Sequence, residues 1–212
     1  RRMLATHHLA DSGDEAAASK AREIVLSADA SEHASAHALW ILHRRDGLDS
    51  TAMNRAASHD SPLVRNHLAR VLSETPYWSS REHSLAMGLL ADSDPHVVKA
   101  AADAAGQRGD LAEFHRLIQA REDLADDDVH TRYSSRLALR DLLARGDNLA
   151  TLRKRNLTES DARAAADIMI GIPNADAGEF LLDHVQRHEE TGGALIKQIQ
   201  HAARHAPHDR DE

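Results

Sequence analysis

His59-Asp60-Ser61-Pro62-Leu63-Val64-Arg65 and Asp92-Ser93-Asp94-Pro95-His96-Val97-Val98-Lys99 are two copies of one pattern. In each, an acidic residue is followed five positions later by a basic one, with a Ser-Pro or Asp-Pro turn between them. A third copy reads Asp127 to Arg132, and a weaker fourth begins near Thr158 and carries Arg163. Asp60, Asp94 and Asp127 are 34 and 33 residues apart. After each basic residue comes a run of small and aliphatic residues: Asn66 to Leu72, Ala100 to Ala105, Tyr133 to Leu143. A fixed period of this size is the mark of stacked repeats, in which no single unit can bury its apolar face alone.

Working outward from these turns, the chain reads as helix throughout. Proline just inside a helix start costs nothing, because its missing N–H has no partner there anyway. Pro62 and Pro95 therefore open helices over Leu63–Leu72 and Val97–Gln107, with Ser61 as the cap of the first. Upstream lie a short helix at Arg1–Ala10, a second at Glu15–Leu26, a strong one at Ser31–Arg45 ended by Gly47, and its partner Ser50–Ser58. Downstream the pattern predicts Ser79–Leu90, Leu111–Ala120, Val129–Leu143, Asn148–Arg155, Ala162–Ile170, Ala177–His188 and Ala194–Ala203. Thr158 with Asp161 forms a capping pair. The expected fold is all-α: an α-solenoid of stacked antiparallel helix hairpins. Its approximate units are 1–30, 31–59, 60–93, 94–126, 127–157, 158–190 and a terminal helix with tail at 191–212. The expected core includes Leu68, Val71, Leu89, Val98, Phe114, Leu117, Leu139, Leu142, Ile168, Phe180, Leu181 and Ile196.

Composition narrows function. Aromatics are only 3% of the 212 residues, so the core must be built from Ala, Leu, Ile and Val. The formal charge of −8 argues against a general nucleic-acid binder, which needs a basic stripe. With no cysteine, there is no disulfide, thiol catalysis or Cys-ligated metal within the segment. No stretch approaches the ~20 apolar residues of a membrane span, so no membrane insertion is expected. Sixteen histidines would turn −8 into +8 on full protonation, making surface charge steeply pH-dependent.

The acidic and basic repeat positions, Asp60, Arg65, Asp94, Lys99, Asp127 and Arg132, followed by Ala-rich helices, resemble the ladder of HEAT-like repeats. Three further segments resemble the HEAT array of large planctomycete proteins of the membrane-bound-dehydrogenase-like type, which carry a haem-binding CxxCH domain. They are Ala36-His37-Ala38-Leu39-Trp40-Ile41-Leu42 with Gly47-Leu48-Asp49, His130 through Arg136-Leu137-Ala138-Leu139-Arg140-Asp141, and His201-Ala202-Ala203-Arg204-His205. In that family the array lies between a propeller-like, sugar-dehydrogenase-like domain and a cytochrome c domain. The resemblance implies export to an envelope compartment and a redox context. No CxxCH occurs here, so no haem ligand carries over and no cofactor is expected in this segment.

Candidate chemistry is sparse. His33/His37, His184/His188 and His201/His205 stand at i,i+4, which places two rings on one helix face and can begin a metal site. The C-terminal set His201, His205 and His208 is the best of these. The recurrence of the acid–base pairs points to structure rather than catalysis. Trp40 reads as core or an inter-repeat plug. Trp78, in Pro76-Tyr77-Trp78, reads as a staple for the return helix, and Asp126-Asp127-Asp128 as a loop favouring the next helix dipole. Second helices of such hairpins commonly line a concave face; here they offer Arg81, His83, His115, Arg116 and Arg153. The expectation is a non-catalytic interaction or spacer scaffold whose partners are proteins or neighbouring domains. The alternative is a groove that binds nucleic acid, or a glycosylase-like repair enzyme.

Overall fold

In the computed structural model, Asp11 and residues 15–124 and 128–207 are described. They form twelve helices and no strand. The chain divides into two compact units, Arg1–Gly109 and Asp110–Glu212. The expected helix at residues 1–10 lies outside the described residues.

The first unit holds α1 (Glu15–Leu26), α2 (Glu32–Arg44), α3 (Ser50–Ala57), α4 (Pro62–Glu74), α5 (Ser80–Leu89) and α6 (Pro95–Arg108). Their starts follow from local chemistry. Ser31, Asp49 and Asp94 each accept a backbone N–H of the first helical turn. Ser79 and Glu82 close a reciprocal capping box. Ser61 occupies the N-cap of α4 but makes no cap bond, because its hydroxyl donates to Glu32 instead. The chain reverses after α2 through Asp46, whose φ of 52° is left-handed. Aspartate tolerates that region better than most residues, so Asp46, rather than Gly47, makes the turn.

Helices alternate between two layers within this unit. α2, α4 and α6 pack in succession, α3 packs on α5, and α1 lies against both α2 and α3. Leu39, Leu42, Val64, Leu68, Leu72 and Val97 fill the space between them and are fully enclosed. α6 contributes mainly Ala100, Ala101, Ala102, Ala104 and Ala105, all buried, which lets helix backbones approach closely.

The second unit holds α7 (Phe114–Glu122), α8 (Val129–Ala144), α9 (Asn148–Arg153), α10 (Glu159–Met169), α11 (Ala175–Arg187) and α12 (Gly192–His205). α7 starts three residues later than expected. Asp110 accepts the N–H of Ala112 while Glu113 accepts the N–H of Asp110, which holds residues 110–113 in a turn. α8 packs on α7, α9 and α10, and α11 on α9, α10 and α12. Leu117, Leu139, Leu142, Leu143, Leu152 and Leu181 are completely enclosed. At Gly178, a Cβ would stand 2.6 Å from the Ala206 nitrogen, so only glycine lets the end of α12 lie on α11.

Ile196, expected in the core, is 56% exposed. The buried stripe of α12 runs instead through Gln198, His201 and Ala202, the side turned to α11. Apolar residues recur on both faces of α12, so the sequence pattern could not choose between them. No helix among the described residues is long and apolar enough to cross a membrane.

Candidate interaction surfaces

In the first unit one charged repeat position, Arg65, acts as a cross-link between turns. Arg65 is mostly buried and grips Asp92 with two bonds, Nε to Oδ2 at 2.6 Å and Nη2 to Oδ1 at 2.8 Å. Its Nη1 donates to the carbonyls of His59 and Asp60 at 2.7 and 2.9 Å. One guanidinium thus ties the turn before α4 to the turn before α6. Partial burial works to raise the Asp92 carboxyl, but the Arg65 bond and the Asp94 N–H outweigh it and hold the group below its ordinary value. The same hydrogen bond to Asp92 raises Arg65.

The other repeat positions divide differently from their spacing. Asp60 gives Arg65 its carbonyl, and Asp94 caps α6 through the N–H groups of His96 and Val97. Lys99 stands 3.5 Å from Asp103 on its own helix. Arg132 donates to the Leu124 carbonyl at 2.7 Å. Asp127 lies outside the described residues.

A different interval runs through the structure. Arg22 reaches Asp49, Trp40 reaches His67, Arg65 reaches Asp92 and Arg81 reaches Asn54, each across 27 residues. In the second unit Arg163 reaches Glu190 across the same interval. The Arg-to-acid members of this set are legible in the sequence, but only if the search offset is 27 rather than five.

Trp40 anchors a histidine cluster. Its Nε1–H donates to Nδ1 of His67 at 3.0 Å, which places the proton of neutral His67 on Nε2. His43 and His67 both meet the indole edge-on. Burial pushes both histidines below the ordinary value. Nearby Arg70, His37 and His33 add to this for His67, whereas Glu74 and Asp46 oppose it for His43. Trp78 donates to the Leu72 carbonyl at 2.9 Å, covering the end of α4, and meets His83 edge-on at 5.3 Å. Its neighbour Tyr77 is 90% exposed.

The residues expected on a concave face all have intramolecular contacts. Arg81 donates to Asn54 at 3.0 Å, and His83 rests on Trp78. In the second unit His115 contacts Asp161 at 3.0 Å, and Arg116 donates to Gln119 at 3.3 Å. Arg153 faces a carboxylate stripe on α11: Asp176 at 3.2 Å, Glu179 in direct contact, and Asp183 at 3.7 Å.

Two of the histidine pairs close up on the helix surface. The His184 and His188 rings are 4.7 Å apart, and those of His201 and His205 are 4.5 Å apart. Each has its buried member tied to protein. His184 donates from Nε2 to Glu190 at 2.7 Å, and His201 donates from Nε2 to the Ile172 carbonyl at 3.0 Å. Burial lowers His201, partly offset by that carbonyl. His208 lies outside the described residues.

Sequence reasoning did not single out Asp92, Asp167 or Glu190 as acceptors. Asp167 receives both Arg121 and Arg136, at 3.0 and 3.2 Å. Glu190 receives both Arg163 and His184. These are non-local pairings that no short motif encodes. No protein-family model matches the chain, and no curated protein matches it either.

Proposed function

We propose that the chain is a HEAT-like α-solenoid segment that serves as a non-catalytic interaction or spacer scaffold, holding a protein partner or neighbouring domains at fixed geometry. The observation that carries this reading is the alternate-helix packing of the first unit, with α2, α4 and α6 in one layer and α3 and α5 in the other, and with four cross-links that each span 27 residues. A repeat array held by such nearest-neighbour contacts is suited to presenting a surface rather than to enclosing a reaction. Arginines bound to carboxylates of the same chain also serve position better than catalysis.

Solution scattering tests the architecture. A compact chain of this length has a radius of gyration of about 17 Å, and an extended array is expected above about 20 Å. A value near the compact figure removes the solenoid reading. The same sample titrated with duplex DNA at low salt is expected to show no binding. Salt-sensitive binding would favour the groove alternative instead.

The placement within a larger exported, haem-containing dehydrogenase-like protein rests on the sequence resemblance alone. Flanking coding sequence tests it: a propeller is expected upstream and a CxxCH segment downstream.

A further inference from the structure

The second unit contains a cavity of about 340 Å³ that the scaffold reading does not use. This volume falls at the lower end of the range for small-molecule sites. Its lining is amphipathic. Leu152, Ala162 and Phe180, all buried, supply apolar wall, while Arg155, Arg187 and His188 supply cationic or polarisable groups.

Three arginines and Asp183 line the cavity, and Asp176, Glu179 and Glu190 touch lining residues. One of the three, Arg153, is held by the α11 carboxylates. The other two are not neutralised. Arg155 makes one bond, to the Leu111 carbonyl at 3.2 Å, and carries no carboxylate partner among the described residues. Arg187 is exposed and has neither an ion pair nor a hydrogen bond among them.

A second observation is independent of charge. His184, also in the lining, is 3% exposed, and Glu190 fixes its Nε2. Its Nδ1 is buried and has no hydrogen-bond partner. With Nε2–H given to Glu190, the neutral ring leaves an enclosed acceptor at Nδ1, so His184 serves as wall and not as a phosphate contact. The ring lies between Phe180, stacked at 6.2 Å, and His188 at 4.7 Å, so this wall of the cavity is flat and aromatic.

We propose that this cavity binds a small phosphate monoester, its phosphate taken by Arg155 and Arg187 and its organic part lying against Phe180 and the neighbouring aliphatic wall. Guanidinium groups match the geometry of a tetrahedral oxyanion and bind it through paired charge-assisted hydrogen bonds. The apolar wall makes an organic ester a better occupant than inorganic phosphate. The site goes beyond the scaffold reading and does not depend on it.

Calorimetric titration of the full chain with phenyl phosphate, inorganic phosphate and benzoate tests the assignment. Phenyl phosphate is expected to saturate at one site and to bind more tightly than the other two. Arg187→Gln, on an exposed side chain, is expected to keep its helical circular dichroism and weaken phenyl phosphate by about tenfold or more. Lys197→Gln, an exposed charge on α12, is expected to bind like the wild type. Absence of saturation, equal binding by wild type and Arg187→Gln, or benzoate binding as tightly as phenyl phosphate would each overturn the proposal. None of these outcomes bears on the radius of gyration, so this proposal and the scaffold reading fail separately.

Discussion

The two units differ most in what they bury. Among the described residues, eight polar or charged side chains are buried, and only Ser35 belongs to the first unit. The second unit encloses Glu113, Thr131, Ser135, Asp161, His184, Gln198 and His201. The bridges differ in the same way. Several of the first unit span 27 residues, whereas the second adds longer ties such as His115 to Asp161 and Arg121 to Asp167, each across 46 residues. A dry interior of Leu, Val and Ala is nonspecific, and regular spacing sets its register. A partly polar interior needs individual partners, which makes it costlier to assemble and easier to break at single positions.

The largest test strikes both cores equally. Leu68→Ala in α4 and Leu139→Ala in α8 each empty a site with no exposure, and each is expected to lose about 2–5 kcal/mol in urea denaturation. Similar losses would show that the units differ in polar content and not in packing. An unchanged midpoint for either variant would show that its helix face has been misassigned.

A smaller effect belongs to the second unit alone. Glu190→Gln leaves the shape nearly constant but removes the charge that His184 and Arg163 share. The expected loss is about 1–3 kcal/mol for the buried histidine bond, measured by thermal unfolding. The nearest counterpart, Asp92→Asn, weakens a pair whose acid is as enclosed as Glu190 but whose arginine is more exposed than His184, so it is expected to lose less. The reverse order would undo the contrast between the units.

The mildest and most gradual effect is set by pH. His43, His67 and His201 all have folded values below the ordinary 6.5. The unfolded chain therefore binds protons first as pH falls, and stability is expected to decline from about pH 6.5 downward. Asp92 and Glu82 are lowered too, so their contribution is present above the ordinary carboxylate range and is lost only as pH falls through their depressed values. Protonating His67 at Nδ1 removes the acceptor of the Trp40 bond, so Trp40 emission should hold through the onset of the decline and change only as pH falls through the depressed folded value. Emission that changes at pH 6.5 or above, before stability falls, would remove His67 from the account.

Much of the first unit is legible in the sequence. Pro62, Pro95 and Ser31 mark helix starts by local chemistry, which acts within a few residues and can be read there. Leu68, Leu139 and Leu181 lie on stripes that only one face could bury. The failures share a cause. Arg65 lies five residues from Asp60 and 27 from Asp92, and only packing decides which carboxylate it meets. Ile196 and Ala202 lie on opposite sides of α12, and the choice between them rests on where α11 lies. The cavity beside His184 brings together side chains from Leu152 to His188, on three helices and the segments that follow them, so no short window of sequence contains it.

The bridges between helices govern where the chain can change length. One residue added inside α4 would turn everything beyond it by about 100° and swing Leu68 and Leu72 out of the interior. The same addition beside Tyr77, at the exposed tip between α4 and α5, would lengthen only a loop and leave both ends of the Arg65–Asp92 tie in place. Growth and loss of sequence should therefore collect in the exposed loops between helices.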